Sequence, residues 1–176
     1  FIMDASNKKY KIWEDLLFYC KFSANPVGRF VIDAVNEKQN IKKIYEASDN
    51  LCTALQIINH IQDCQKDFKE LKRVYIPDSL FKKYSLDKSI INQKKSTENF
   101  KRLKIEIIDN VLKLLKGTKI GLYQIQSWRL RKETLIILNI AKRLCNLLKR
   151  KDPLEKKIKL SRIDLIFCFF KGIIYD

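Results

Sequence analysis

The stretch TALQIINHIQDCQKDFKELKRVYIP, residues 53–77, decides how this chain is read. Gln56, Asn59, Asp63 and Asp67 recur at i, i+3, i+7 and i+11. At ~100° per residue they fall within ~80° of one another on one face of an α-helix. Leu55, Ile57, Ile58 and Ile61 thread between them and are apolar enough for a core. The stripe is therefore expected to be buried, and buried amides and carboxylates are costly unless hydrogen-bonded, ion-paired or bound to a metal. Asp63 and Asp67, one turn apart, offer hard oxygen ligands for Mg²⁺, an ion held by one or two carboxylates together with waters and substrate phosphates. Arg73 follows shortly after, a cation suited to a diphosphate. A lone DxxxD is most often a solvated helix face. The apolar helix before this one and the RVYIP after it make it a sharper signal.

Outward from the stripe, the pattern is helical almost throughout. No run alternates with period two, and Gly (4) and Pro (3) are scarce in the 176 residues. The periodicity predicts helices over Tyr10–Ala24 and Val27–Glu37, separated by Asn25-Pro26, because proline lacks a backbone donor and restricts the residue before it. A long central helix is expected from Asn40 to Glu70, ended by RVYIP. Short helical turns follow over Asp78–Thr97. The next helix is capped by Ser96 or Thr97 and ends before Gly117. Another is expected over Leu122–Lys149, with Asp152-Pro153 as an N-cap and first-turn pair. Ser161 opens a last, very apolar helix, DLIFCFFKGII. The 46% apolar content is enough for a core, and residues 1–176 read as a single all-α bundle with no repeat and no second domain.

Composition narrows the function classes. Five scattered cysteines without a CxxC favour reduced thiols in a cytoplasmic setting over a disulfide framework or zinc site. His60 is the single histidine, which excludes histidine-rich metal sites; beside Asn59 on an apolar helix it reads as a packed ring. The net charge is +16, carried by 28 Lys and 8 Arg spread along the chain. Arginine, the better fork for bases and phosphates, is the minority, so nucleic acid is not the expected partner. A diffuse positive field does attract diphosphates and anionic lipid. No apolar run reaches the ~20 residues of a membrane span, and FIMDASNKKYKIW carries no long apolar leader.

A second constellation is YCKFSANPVGR, Tyr19 to Arg29. Small residues around the kink leave room for a ligand or a close neighbour. Tyr19 could orient a proton or face a carbocation, and Arg29 could contact an anion. An ordinary kinked helix with Tyr19 in the core reads the same way.

These segments, with SDNLCTALQIINHIQDCQKDFKELKRVYIP, WRLRKE and RKDPLEKKIKLSRIDLIFCFFKGI, resemble the squalene/phytoene synthase family. The QDxxxDxxxxxRVYIP form and the DPLxxxxxLS ending look most like its bacterial hydroxysqualene synthase branch. The resemblance runs from about Trp13 to Gly172. It implies the isoprenoid (terpenoid) synthase-type helical bundle, Mg²⁺ dependence, and conversion of presqualene diphosphate, made from two farnesyl diphosphates, to hydroxysqualene. By position it assigns Asp63 and Asp67 to the second aspartate-rich motif as Mg²⁺ ligands, with Asn59 in support. Arg73 would bind diphosphate; from the residues themselves, Tyr75 and Arg29 are further candidate substrate contacts. Tyr19 is the pocket tyrosine and Gly28 the close-packing glycine.

Gln62 stands where many members have Arg. The family's first aspartate-rich motif is expected upstream of Tyr19, and Asp4, Glu14 and Asp15 do not form it. With Phe1 in place of a start methionine, this implies a chain lacking the bundle's N-terminal helices and inactive or weakly active alone. A separate N-terminal chain is then a natural partner. The alternatives are a non-catalytic assembly factor, like the complex I assembly factor that the family resembles, or a degraded remnant. The last helix and the positive charge point to peripheral membrane contact; a packed core helix accounts for the same pattern.

Overall fold

The computed structural model describes residues 9–174, and every regular element among them is helical. Asp4 and the start of FIMDASNKKYKIW lie outside the described residues. Helix α1 spans Trp13–Ser23, and Asp15 reaches back to accept the Lys11 and Ile12 backbone N–H groups at 2.8 and 3.1 Å. Asp15 is therefore a helix cap, where a negative charge also meets the positive end of the helix dipole. Ala24 closes α1, and α2 (Asn25–Ala34) starts at once with Pro26 in its first turn, where the missing N–H costs nothing.

Helix α3 (Ile41–Gln62) is the centre of the bundle, packed by α1, α2, α5 (Glu98–Leu114), α6 (Thr118–Leu122) and α7 (Trp128–Arg150). Its core face carries Ile44, Leu51, Ala54, Ile57, Ile58 and Ile61, all nearly inaccessible. Opposite them lie Phe100, Leu103, Ile107 and Ile108 of α5, at the i, i+3, i+7 spacing of a buried helix stripe. Thr97 caps α5 by accepting from the Phe100 N–H, and Ser127 caps α7 by accepting from Leu130. Gly117, at φ +81°, makes the left-handed turn between α5 and α6.

Three expected boundaries move. The central helix ends at Gln62 rather than Glu70. Asp63 leaves helical geometry (φ −104°, ψ 9°), a single turn Cys64–Lys66 follows, and Asp67–Leu71 winds as a wider π-type turn. The helix expected over Leu122–Lys149 starts only at Trp128, capped by Ser127, and Leu122 instead ends the short α6. Buried Glu37 fixes that start, accepting the Gln126 and Ser127 N–H groups at 2.9 and 2.7 Å. Asp152-Pro153 opens no helix; its carboxylate is used elsewhere, as described below. After α4 (Asp78–Lys83), the chain reaches α8 (Arg162–Ile174), which lies along α7.

Two glycines hold close helix contacts. A Cβ at Gly28 would overlap Ser48 Oγ and stand 2.6 Å from Cys52 Sγ, both ends of side chains that can turn aside. At Gly121 it would stand 2.5 Å from the Ala47 Cβ and 2.8 Å from the Lys43 carbonyl, and backbone cannot turn aside. Gly121→Ala is therefore expected to cost more than Gly28→Ala, about 1–3 kcal/mol, read from urea unfolding midpoints. Equal costs would contradict this account of the α3–α6 contact.

The cap of α8 carries a pH signature. Asp164 accepts from the Ser161 N–H (2.9 Å), the Ser161 hydroxyl (2.7 Å) and Arg143 Nε (2.6 Å). The Ser161 bonds, then Arg143, hold its carboxyl down at about 2 from an ordinary 3.8. A depressed folded-state value stabilises above the ordinary value and loses that stabilisation as pH falls through the folded one. In an Asp164→Asn variant, unfolding between pH 4 and 2 should accordingly be flatter with pH than in the parent.

Candidate functional site

The polar stripe lies at the C-terminal end of α3, where helical geometry gives way. Asn59 is exposed, while Gln56, Asp63 and Asp67 are half-buried. The expectation of a buried stripe is therefore corrected. The apolar residues between the stripe positions turn inward and leave the polar ones along the rim of the core. The i→i−4 bonds continue across the break, from the Asp63 N–H to the Asn59 carbonyl and from the Asp67 N–H to the Asp63 carbonyl, both 2.9 Å. Asn59, Asp63 and Asp67 thus remain successive steps of one ladder.

Arg73 is drawn in by the end of this segment. Lys72 takes a left-handed conformation (φ 55°), and the N–H groups of Lys72 and Arg73 both donate to the Asp67 carbonyl. The Arg73 charge acts on the Asp67 carboxyl. Burial pushes that carboxyl up and the Asp63 charge pushes it the same way, against Lys66 and Arg73. The Asp63 charge thus disfavours ionisation of Asp67, an effect that a nearby cation would offset. Among the described residues no three His, Cys, Asp or Glu side chains gather as a metal cluster, so Asp63 and Asp67 stand as a pair.

An aromatic cluster forms from residues that flank the pair in sequence, His60 before it and Tyr75 after it. His60 stacks on Tyr75 with ring centroids 3.6 Å apart and planes 13° from parallel, and Gln56 Nε2 lies 3.2 Å from His60 Nε2. Tyr19 packs against Tyr75 at 5.6 Å and against His60 at 5.8 Å. Tyr10 closes the group, 5.6 Å from both Tyr19 and Tyr75. The RVYIP segment is held there because the Asp78 and Ser79 N–H groups donate to the Tyr10 and Lys11 carbonyls. Tyr19, Tyr75 and the acidic pair are thus at one end of the bundle, and His60 is the packed ring its surroundings predict.

Arg29 is elsewhere. It grips Asp49 with two bonds, Nε–Oδ1 at 3.0 Å and Nη2–Oδ2 at 2.5 Å, and its guanidinium lies 5.0 Å from the Tyr45 ring centroid. Asp49 is 14 positions before Asp63 on α3, ~21 Å along the axis at ~1.5 Å per residue. The structure therefore does not bring Arg29 to the acidic pair. Helix α2 carries it to the N-terminal half of the central helix, where its charge is already paired with Asp49. Gly28 is likewise a packing position, as described above.

In the segment 151–158 the sequence marks only Asp152, Pro153 and Leu154; the structure adds others. Lys157 Nζ lies 2.6 Å from Asp63 Oδ1, across 94 positions of sequence. Next to it, Gln62 Nε2 donates to the Ile158 carbonyl at 2.6 Å, and the Ile158 side chain is buried. At the other end of the strap, Asp152 accepts the Ser96 N–H (2.7 Å), the Ser96 hydroxyl (2.6 Å) and the Leu154 N–H (3.0 Å). Burial pushes the Asp152 carboxyl up, yet these bonds outweigh it and the net shift is downward. Lys104, 3% exposed on the core face of α5, donates to the Lys151 carbonyl at 2.6 Å. A lysine among Phe100, Leu103, Ile107 and Ile108 was the one visible sign of this strap.

A family model for squalene/phytoene synthase matches residues 1–164. The chain belongs to the squalene/phytoene synthase family. It is 36% identical over 166 residues to the hydroxysqualene synthase of Sinorhizobium fredii, covering 94% of this chain and 56% of that protein. To the hydroxysqualene synthase of Zymomonas mobilis it is 31% identical over 179 residues, covering all of this chain and 59% of that protein. The chain therefore spans somewhat over half the length of these relatives. Among solved structures it is similar to a squalene synthase from Alicyclobacillus acidocaldarius, with TM-score 0.73 and 27% identity over 81% of this chain and 52% of that one. A dehydrosqualene synthase superposes with TM-score 0.85 over 98% of this chain and 60% of its own, at 17% identity, which speaks to fold alone. The all-α squalene and dehydrosqualene synthase fold is thereby established.

Proposed function

We propose that this chain supplies one acidic wall of a Mg²⁺-dependent prenyl diphosphate site of the hydroxysqualene synthase type, acting on presqualene diphosphate. The observation that carries this reading is the Asp63/Asp67 pair held on one ladder between His60 and Tyr75, whose rings stack. The donor set fits the ion: hard carboxylate oxygens, with Asn59 exposed one turn before and a raised Asp67 carboxyl that a divalent charge relieves. When bound, Mg²⁺ supplies positive charge against which diphosphate departs.

The chain's own residues do the rest. Asp63 and Asp67 hold the ion, and Arg73 faces the diphosphate oxygens. Tyr19 and Tyr75 line the apolar side, where a carbocation is shielded from water and meets aromatic faces. In the reaction the carbon–oxygen bond to diphosphate breaks, the cation rearranges, and water adds its oxygen and gives up a proton to yield hydroxysqualene. The opposing acidic wall would come from the portion of the relatives that this chain does not match, as part of a longer protein or as a complementing chain. Calorimetric titration of Mg²⁺ with inorganic pyrophosphate tests the wall alone. Asp67→Asn should weaken binding at least tenfold, and no difference from the parent would contradict the reading.

Peripheral membrane contact belongs to the same proposal. No described helix is long and apolar enough to cross a membrane. Helix α8 instead exposes Ile163, Ile166, Phe167, Phe170 and Ile174, and to a lesser degree Leu165, Phe169 and Ile173, beside Lys171 in a chain of net charge +16. That is the pattern of a helix lying in an anionic lipid surface. Vesicle flotation should show binding to anionic vesicles, reduced in Phe167→Ser/Phe170→Ser. No flotation of the parent would contradict it.

A further inference from the structure

The ion pair between Lys157 and Asp63 is built rather than incidental. It joins groups 94 positions apart, and the residue after Lys157 is fixed on both sides. The Ile158 side chain is buried and its carbonyl takes the Gln62 amide at 2.6 Å, while Gln62 directly precedes Asp63. The strap is anchored again at Asp152 by Ser96 and at Lys151 by Lys104. Lys157 is as exposed as its neighbours Lys156 and Lys159, yet these four separate contacts of the strap set it beside Asp63.

We propose that Lys157 is a diphosphate-binding residue that occupies the cation position at Asp63 while the site is empty. This rests on the reading of Asp63 and Asp67 as a metal–diphosphate site. An ammonium on a four-carbon stem is a mobile point charge. With no divalent ion present it neutralises Asp63 and lowers the repulsion between the two carboxylates. A divalent cation at Asp63 expels it, and the nearest new partner for the released ammonium is the diphosphate that arrives with the metal. Asp63, Lys157 and the anion then exchange partners without leaving a charge uncompensated.

The two ligands consequently respond with opposite signs. In Lys157→Gln, Mn²⁺ titrated alone and followed by its paramagnetic resonance should bind about threefold to tenfold more tightly, since a competing cation is gone. Inorganic pyrophosphate titrated at saturating Mn²⁺ should bind about tenfold more weakly. Lys157→Arg, which keeps the charge, should restore most of the pyrophosphate affinity, which a merely structural strap contact would not predict. Both constants moving the same way, or neither moving, overturns the proposal. If Asp67→Asn loses binding while Lys157→Gln matches the parent, the metal–diphosphate reading survives and only the role of Lys157 falls. If the parent binds neither ligand, the metal–diphosphate reading falls first and this inference with it.

Discussion

Replacing Asp63 and Asp67 together by Asn is expected to abolish metal-dependent chemistry in the protein that carries this chain. The loss in turnover should be on the order of 10³-fold, the scale of removing a charge-stabilising contact from a transition state. The fold should be untouched. Both side chains are half-exposed at the rim of the core, and the Asp67 carboxyl already resists ionisation, so a neutral amide relieves rather than creates strain. Thermal unfolding and the far-ultraviolet helix signal should therefore match the parent, which separates loss of the site from loss of structure. A variant that is inactive and also melts early would mean that the pair supports the bundle.

The second large effect is expected at Asp152, the anchor of the strap. Asp152→Ala removes the acceptor for the Ser96 N–H, the Ser96 hydroxyl and the Leu154 N–H at once. Ser96 is buried, so its groups are left short of partners rather than handed to water. Charge-assisted bonds of this kind contribute about 1.5–3 kcal/mol each and do not add fully, which places the cost near ~3 kcal/mol. For a chain of this size that is a fall of about 6–12 °C in Tm. The same substitution loosens Leu154 and Ile158, and through them Lys157, so pyrophosphate affinity should fall along with stability. Ser96→Ala, which leaves Asp152 and its bond from Leu154 in place, should show a smaller version of both changes. Loss of stability with unchanged pyrophosphate affinity would disconnect the strap from the site.

Local pattern made most of the architecture legible. The i, i+3, i+7 spacing of Leu51, Ala54 and Ile58, and of Phe100, Leu103 and Ile107, is strong enough to mark both helices and their buried faces. Thr97, Ser161 and Gly117 announce themselves as cap and turn residues because their roles depend on chemistry within a few positions. The break at Asp63 is harder to read. No proline or glycine marks it, and periodicity alone continues straight through to Glu70.

The site divides along the same line. Spacing and motif nominate Asp63, Asp67, Tyr19 and Tyr75, and the fold brings them to one end of the bundle. Arg29 lies apart from the pair because adjacency to Tyr19 in sequence says nothing about which part of α3 the following helix α2 meets. Lys157 could not be found at all from local signals. It is one of 28 lysines, in a segment KKIK whose neighbours are solvated, and only a pairing across 94 positions distinguishes it. Gln62 shows the limit in another form. As a departure from Arg it looked like a branch marker, whereas its amide tethers the strap.

The central claim is that Asp63 and Asp67 form a working wall of a prenyl diphosphate site. Its most direct test is Mg²⁺-dependent release of pyrophosphate from presqualene diphosphate by this chain, combined with the portion of the Sinorhizobium fredii hydroxysqualene synthase that it does not match. Release that requires Mg²⁺, and is lost in the Asp63→Asn/Asp67→Asn variant, is the predicted result. No release, or release that the double variant retains, would contradict it.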